Sequence, residues 1–202
     1  MTGGTLPQAG GTPTRLRGTT DTQPALKEWS AAVHALLDGR QTVLLRKGGI
    51  HEKRFTVAAQ RFLLFPTVAH SHAQRVRPEH LDLLAAGAVD SSPEGVTLRA
   101  GAKVFAAVEV SNPDGLAEIE PMHIWTADSV HRDRLDFRPK HRLTVLVVQA
   151  CALLAPVRLT RTAEYAGCTS WVDLPVRPEW GAPVHDDAAL QGVAERVRRT
   201  VA

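Results

Sequence analysis

Cysteine is almost missing from this 202-residue chain: Cys151 and Cys168 are the two present, and neither belongs to a CxxC spacing. That supports neither a disulfide framework nor a zinc site built of thiolates. Long apolar runs are missing too, none approaching the roughly 18 residues that span a bilayer. The opening Met1-Thr2-Gly3-Gly4-Thr5 has neither the basic start nor the apolar stretch of a signal peptide. These absences point to the cytoplasm. No GxxxxGK[ST] occurs, so P-loop nucleotide hydrolysis is not indicated, and there is no HExxH metalloprotease helix. Restriction-type nucleases hold magnesium with an Asp and an ExK-like pair. Here Glu109 is followed by Val110 and Ser111, with no lysine in that place. No internal repeat is visible.

What is present is ordinary globular material, 44% hydrophobic and 22% charged, long enough to bury a core. The net charge of +3 is unevenly spread. Eight cations (Arg40, Arg46, Lys47, Lys53, Arg54, Arg61, Arg75, Arg77) stand against the single acid Glu52 between residues 40 and 77, and the remainder is acidic. Such a segment suits an anionic partner, whether phosphate, nucleic acid or an acidic protein face. The plain alternative is a solvated basic surface.

Residues 1–23, rich in Gly, Thr, Pro and Gln, are expected to be a disordered tail. Residues 24–180 read as one α+β domain and 181–202 as a C-terminal helical extension. Over 25–37 the apolar positions Leu26, Trp29, Val33, Leu36 and Leu37 predict an amphipathic helix, with Pro24 at its start and Gly39 at its stop. Strands are predicted over 41–46, 62–65 (ended by Pro66), 104–110, 143–150 and 171–174. Helices are predicted over 78–86 (closed by Gly87), near 121–127 and over 187–200. Together these give an α+β fold with a mixed or antiparallel, partly closed sheet and flanking helices.

Five segments could carry chemistry. Arg46-Lys47-Gly48-Gly49 follows a strand, and paired glycines let backbone N–H groups approach an anion while two cations supply charge. Its plain alternative is a hairpin turn. His51, His70, His72 and His80 fall close together, and His70 and His72 on a strand would share a face. The nearby acids, Glu52 among them, have no recognisable metal spacing, so no metal is assigned; His51 or His70 could instead be a neutral hydrogen-bonding group or general base. Trp125, followed by Arg132 and Arg134, joins an aromatic to cations as base stacking and phosphate contact require. Its alternative is a core anchor. Tyr165-Ala166-Gly167-Cys168-Thr169-Ser170-Trp171 has a cysteine-protease flavour but lacks the ordered His and Asn partners, so Cys168 reads as a packed residue.

Taken in order, ALKEW at 25–29, LRKGGIHE at 45–52, FLLFPT at 62–67 with Thr67 and the following His70, HIWT at 123–126 and YAGCTSW at 165–171 resemble the bacterial family named domain of unknown function 1802 (DUF1802). The resemblance covers residues 25–174. It implies a grouping with no known activity, and a setting beside restriction-type nuclease domains, hence a role near DNA modification or defence and a nuclease partner. A weaker similarity, over 29–46, is to the first helix and strand of ASCH and other PUA-like barrels, which bind RNA or modified bases. Of the pattern Gly-x-Lys-x-x-Glu-x-Arg, Gly39 and Arg46 match, whereas Gln41 replaces the lysine and Leu44 the glutamate. Those departures imply binding rather than hydrolysis.

The reading that follows is a nucleic-acid or nucleotide binding module without a membrane role. Its candidate ligand-binding residues are Arg46, Lys47, Gly48, Gly49, His51, Glu52, Thr67, His70, Trp125, Arg134, Tyr165, Ser170 and Trp171. An enzyme acting on a phosphorylated small molecule through His51, Glu52 and His70 is the second reading. A protein-interaction subunit is the third. Catalytic residues and cofactor stay open.

Overall fold

The structure is a computed structural model, and it describes residues 22–48, 54–68 and 71–202. The expectations for 1–21, and those for Gly49, His51, Glu52 and His70, lie outside the described residues.

Among the described residues seven strands form one mixed sheet: β1 (Gln23–Trp29), β2 (Val43–Lys47), β3 (Arg61–Thr67), β4 (Gly95–Glu109), β5 (Leu143–Thr160), β6 (Trp171–Leu174) and β7 (Trp180–Pro183). Their order is β2-β5-β4-β3-β1-β6, with β7 on the distal half of β5. β1 and β3 run parallel and every other pair is antiparallel. Helices α1 (Ser30–Leu37), α2 (Asp82–Ala88), α3 (Ala127–Val130) and α4 (Asp187–Val201) flank it, making the α+β class expected.

The helix expected over 25–37 is corrected in its first half, which is β1. That strand lies between β3 and β6 and is buried on both faces. Ala25 packs with Leu63 and Phe65 on one side, and Leu26 with Leu44, Phe62 and Leu64 on the other. A two-sided core strand needs no alternation, so the step from Leu26 to Trp29 imitates a helical turn without being one. From Ser30 the helical spacing is real. It stops at Gly39, whose φ of 73° suits glycine.

Pro66 does not end β3. Beyond Leu63 the strand has no ladder with β4, which pairs with only Arg61, Phe62 and Leu63, so a residue lacking N–H is tolerated there. Gly87 is likewise not a helix stop but a close contact: Ser30 Oγ donates to its carbonyl at 2.8 Å. The short helix expected near 121–127 is instead a 3-10 stretch, Pro113–Met122, followed by α3. β4 and β5 far exceed the predicted lengths, bending at register shifts between Leu98 and Ala100 and between Val104 and Ala106.

The backbone ladder leaves the sheet unclosed, yet it curls. β2 stands at one edge and β1 next to the other, and still Leu44 and Leu26 share one core cluster. Helix α4 covers the outer side of β4 and β5 with Leu190, Ala194, Val197 and Val201, a single helical face. Asp186 caps its start, Oδ1 accepting from Ala189 N–H at 2.7 Å.

Candidate functional site

Because β1 and β3 are parallel, their C-terminal ends emerge together, with Trp29 paired opposite Thr67. Thr67 Oγ1 donates to the Glu28 carbonyl at 3.1 Å. The Glu28 side chain is only 4% exposed. Its Oε1 accepts from Trp29 N–H at 2.8 Å, and its Oε2 from Arg46 Nη1 at 3.1 Å. The same Arg46 nitrogen donates to the Lys27 carbonyl, and the guanidinium lies 5.2 Å from the Phe55 ring centre. A carboxylate this deep requires a partner.

Lys47, next on β2, is fully engaged. Its Nζ donates to the carbonyls of Arg134, Leu135 and Phe137 at 2.7, 3.2 and 2.5 Å. These carbonyls belong to, or just follow, the π-helical turn His131–Asp136, whose end Lys47 therefore caps. Burial pulls the Lys47 ammonium below its ordinary pKa, and the neighbouring Arg134 adds to this.

Arg134 itself is half-buried at the centre of the cluster. Among the described residues its guanidinium makes one hydrogen bond, to the Asp133 carbonyl at 3.4 Å, and has no carboxylate within ion-pair distance. Burial holds its pKa below the ordinary value; Glu28 and Asp133 oppose this, while Arg46 and Arg75 reinforce it. Arg75 places Nε 2.8 Å from Asp133 Oδ2 and its guanidinium 5.0 Å from the Trp29 ring centre.

Trp29 also meets His72, ring centres 4.2 Å apart, and the edge of Trp125 at 4.9 Å. Burial, with Arg75 beside it, pushes His72 down to about 4, so the ring is neutral at physiological pH. A recess of about 10 Å³, lined by Trp29, Trp125, Ser129, Val130, Asp133 and Arg134, separates the aromatic and cationic parts. That is room for about one water. Four cations (Arg46, Lys47, Arg75, Arg134) thus surround two carboxylates, Glu28 and Asp133.

Of the residues singled out in the sequence, Arg46, Lys47, Thr67, Trp125 and Arg134 come together here. Gly48 follows directly, its carbonyl 3.4 Å from His141 Nδ1. Trp125 is 5% exposed and belongs to the core. Tyr165 is buried against Phe65 on the sheet face opposite Glu28. Ser170 receives the Lys27 N–H on its carbonyl. Trp171 pairs opposite Leu26, packs on Phe55 and Phe62, and donates to the Thr56 carbonyl. Its ring reaches the cluster through Phe55, over which Arg46 lies.

Sequence reasoning did not name Glu28, Trp29 or Asp133 as site residues, and counted Arg75 only among the cations of the basic segment. The one available signal was an acid set between Leu26 and Trp29, legible only once 23–29 is known to be a strand. The two departures from the ASCH pattern are structural: buried Gln41 donates to the Val43 carbonyl and accepts from Ile124 N–H, and Leu44 is core. Among the described residues no group of three His, Cys, Asp or Glu side chains is placed to hold a metal ion. No helix among them is long and apolar enough to cross a membrane.

Comparison with curated proteins gives no match. Among solved structures, two mutants of ZmASCH from Zymomonas mobilis are similar to this chain, at 14% and 13% identity and TM-scores of 0.42 and 0.43. Each alignment covers 85% of this chain, and 96% and 94% of the respective ZmASCH chains. The sequence model of the family described as domain of unknown function, DUF1802, matches residues 25–196, and the chain belongs to that family.

Proposed function

We propose that the protein binds the phosphate of a nucleotide or a single nucleic-acid strand at the sheet end where Arg46, Arg75 and Arg134 converge. The observation that carries this is Arg134: a half-buried guanidinium between two other arginines, with one weak hydrogen bond and no ion-paired carboxylate among the described residues. A planar fork of N–H donors in a partly dry setting is matched by phosphate oxygens, two at a time. Lys47 contributes by holding the 131–136 turn, and so Arg134, in place. Trp125 and Trp171 spend their faces on protein neighbours, so ligand bases are not assigned to them. No described residue of the cluster speaks for a nuclease partner or for a place in restriction or defence; the reading stops at binding.

The test is fluorescence anisotropy with labelled single-stranded RNA and DNA of equal length, with AMP as competitor, over a range of salt. Affinity should fall with salt by about 0.7 log units per log unit for each phosphate contact on a single strand. Arg134→Gln should weaken binding by about tenfold and remove about one contact from that slope. Competition by AMP points to a nucleotide site, and its absence to a strand. Binding that ignores both salt and Arg134→Gln rules the reading out. Cleavage of the probe by the wild-type chain would favour the enzyme reading through His51, Glu52 and His70.

A further inference from the structure

At the start of β1, away from the Arg134 cluster, lies a larger recess of about 550 Å³, lined by Pro24, Arg61, Leu154, Arg177, Glu179 and Trp180 among others. That volume falls within the roughly 300–1,000 Å³ of small-molecule sites. Gln23 borders the recess and Trp29 the cluster, so the seven extended residues of β1 put about 20 Å between the two.

Packing builds this recess from below. Trp180, the first residue of β7, seats its indole on the β4 backbone at Gly101, where any Cβ would collide with it. Arg61, the first residue of β3, lays its guanidinium on that indole, Cζ standing 4.0 Å from the ring centre. Stacking uses the flat face of a guanidinium and leaves the N–H donors around its edge for another partner. Among the described residues Arg61 has no ion-paired carboxylate, and its guanidinium makes no hydrogen bond. The side chain is exposed, so those donors face solvent in an orientation already set by the ring. On the wall, Leu154 is 67% exposed, an apolar side chain left in water.

The chemistry of the recess narrows its occupant. A planar fork of donors is met by a carboxylate, whose two oxygens take parallel N–H bonds. The charged residues of the lining, Arg61, Arg177 and Glu179, sum to one positive charge, which suits a monoanion better than a phosphate dianion or a nucleic-acid strand. Leu154 and Pro24 call for hydrocarbon behind the charged group, since covering them removes apolar surface from water. We propose that this recess binds a small organic monocarboxylate, its carboxylate held by the Arg61 fork and its hydrocarbon body laid against Leu154.

3-Phenylpropionate is the probe, titrated into full-length protein labelled with 15N at arginine and followed by NMR. The Arg61 Nε–H resonance is identified by its absence from the spectrum of Arg61→Gln. Saturable binding that shifts this resonance supports the site. The neutral amide, 3-phenylpropanamide, and acetate, which has no hydrocarbon body, should each bind about tenfold more weakly or worse, the cost of losing a hydrogen bond to a charged group or the apolar contact. Arg61→Gln should weaken binding of 3-phenylpropionate by about tenfold or more. Leu154→Asp, at an exposed position, should do the same by adding a negative charge and removing the apolar wall, with Tm little changed. The proposal is overturned if 3-phenylpropionate leaves the Arg61 resonance unmoved, if the amide or acetate binds as well, or if binding survives either substitution. None of these outcomes bears on phosphate binding at Arg134.

Discussion

Replacing Arg46 by methionine keeps most of the stem and removes the charge that Glu28 faces. Three contacts go: the ion pair at 3.1 Å, the bond to the Lys27 carbonyl and the stacking over Phe55. Glu28, 4% exposed, is left with the Trp29 N–H and the more distant Arg134. Breaking a buried pair by removing one partner costs about 3–5 kcal/mol. The attraction of Arg134 puts this case at the lower end, near ~3 kcal/mol. For a domain of this length each kcal/mol moves Tm by about 2–4 °C, so Tm should fall by roughly 6–12 °C. Glu28→Gln is milder, because Arg46 reaches solvent more easily and keeps the Lys27 carbonyl. The double variant, Glu28→Gln with Arg46→Met, should return to within about 1 kcal/mol of wild type, since the uncompensated charge is gone. Urea unfolding of the four proteins completes the cycle and should give a coupling of about 2–3 kcal/mol. The reasoning fails if Arg46→Met unfolds with the wild-type midpoint, or if the double variant carries the sum of the two single losses.

Acid should weaken the fold through His123 and, to a smaller extent, His72. Both folded-state values, about 3 and about 4, lie below the ordinary 6.5, so the unfolded chain binds more protons between those limits. Stability is then full above about pH 6.5 and falls as pH drops through the window. His123 contributes on the order of 2–3 kcal/mol of that loss by pH 4. His123→Gln should flatten the dependence of the urea midpoint on pH, and an unchanged slope would show that His123 is not the titrating group. Two Gly→Ala substitutions should have opposite signs. At Gly115 a Cβ would meet the Thr200 carbonyl oxygen at 1.9 Å, forcing the end of α4 off the 113–122 stretch, with a loss of about 1–3 kcal/mol. At Gly192, inside α4 with nothing within 4 Å, the helix should gain roughly 0.5–1 kcal/mol. Thermal melts of the pair decide it, and equal shifts would contradict the packing described for α4.

The parts legible in the sequence are those where one local signal sufficed. Trp171–Leu174 is a strand as read, and the C-terminal helix differs from 187–200 by a single residue because its apolar face and Asp186 cap are local. The basic pair on β2 lies at the sheet end where Arg75 and Arg134 also gather. What stayed hidden depends on partners remote in sequence. Residues 25–29 become a strand through β3 and β6, and Pro66 is tolerated through a missing partner, neither of which spacing can reveal. β7 has no apolar pattern and exists because the Trp180 ring lies over Gly101, where a Cβ would stand 2.2 Å from it. In the site, Lys47 looked like an anion ligand because its carbonyl acceptors lie some ninety positions further along the chain.

The curled sheet meets itself along a seam, and the nature of that seam has a mechanical meaning. Every other junction between strands is a ladder of backbone bonds that must break together. Between β2 and β1 the polar stitch is one guanidinium, holding a carbonyl and a carboxylate over the apolar contacts beneath. Such a joint has no ladder to break: among the described residues only the Arg46 contacts and the apolar packing hold it, while both strands stay bonded to their other neighbours. The curl is therefore held at this end by side chains alone, at the rim where Arg46, Arg75 and Arg134 gather.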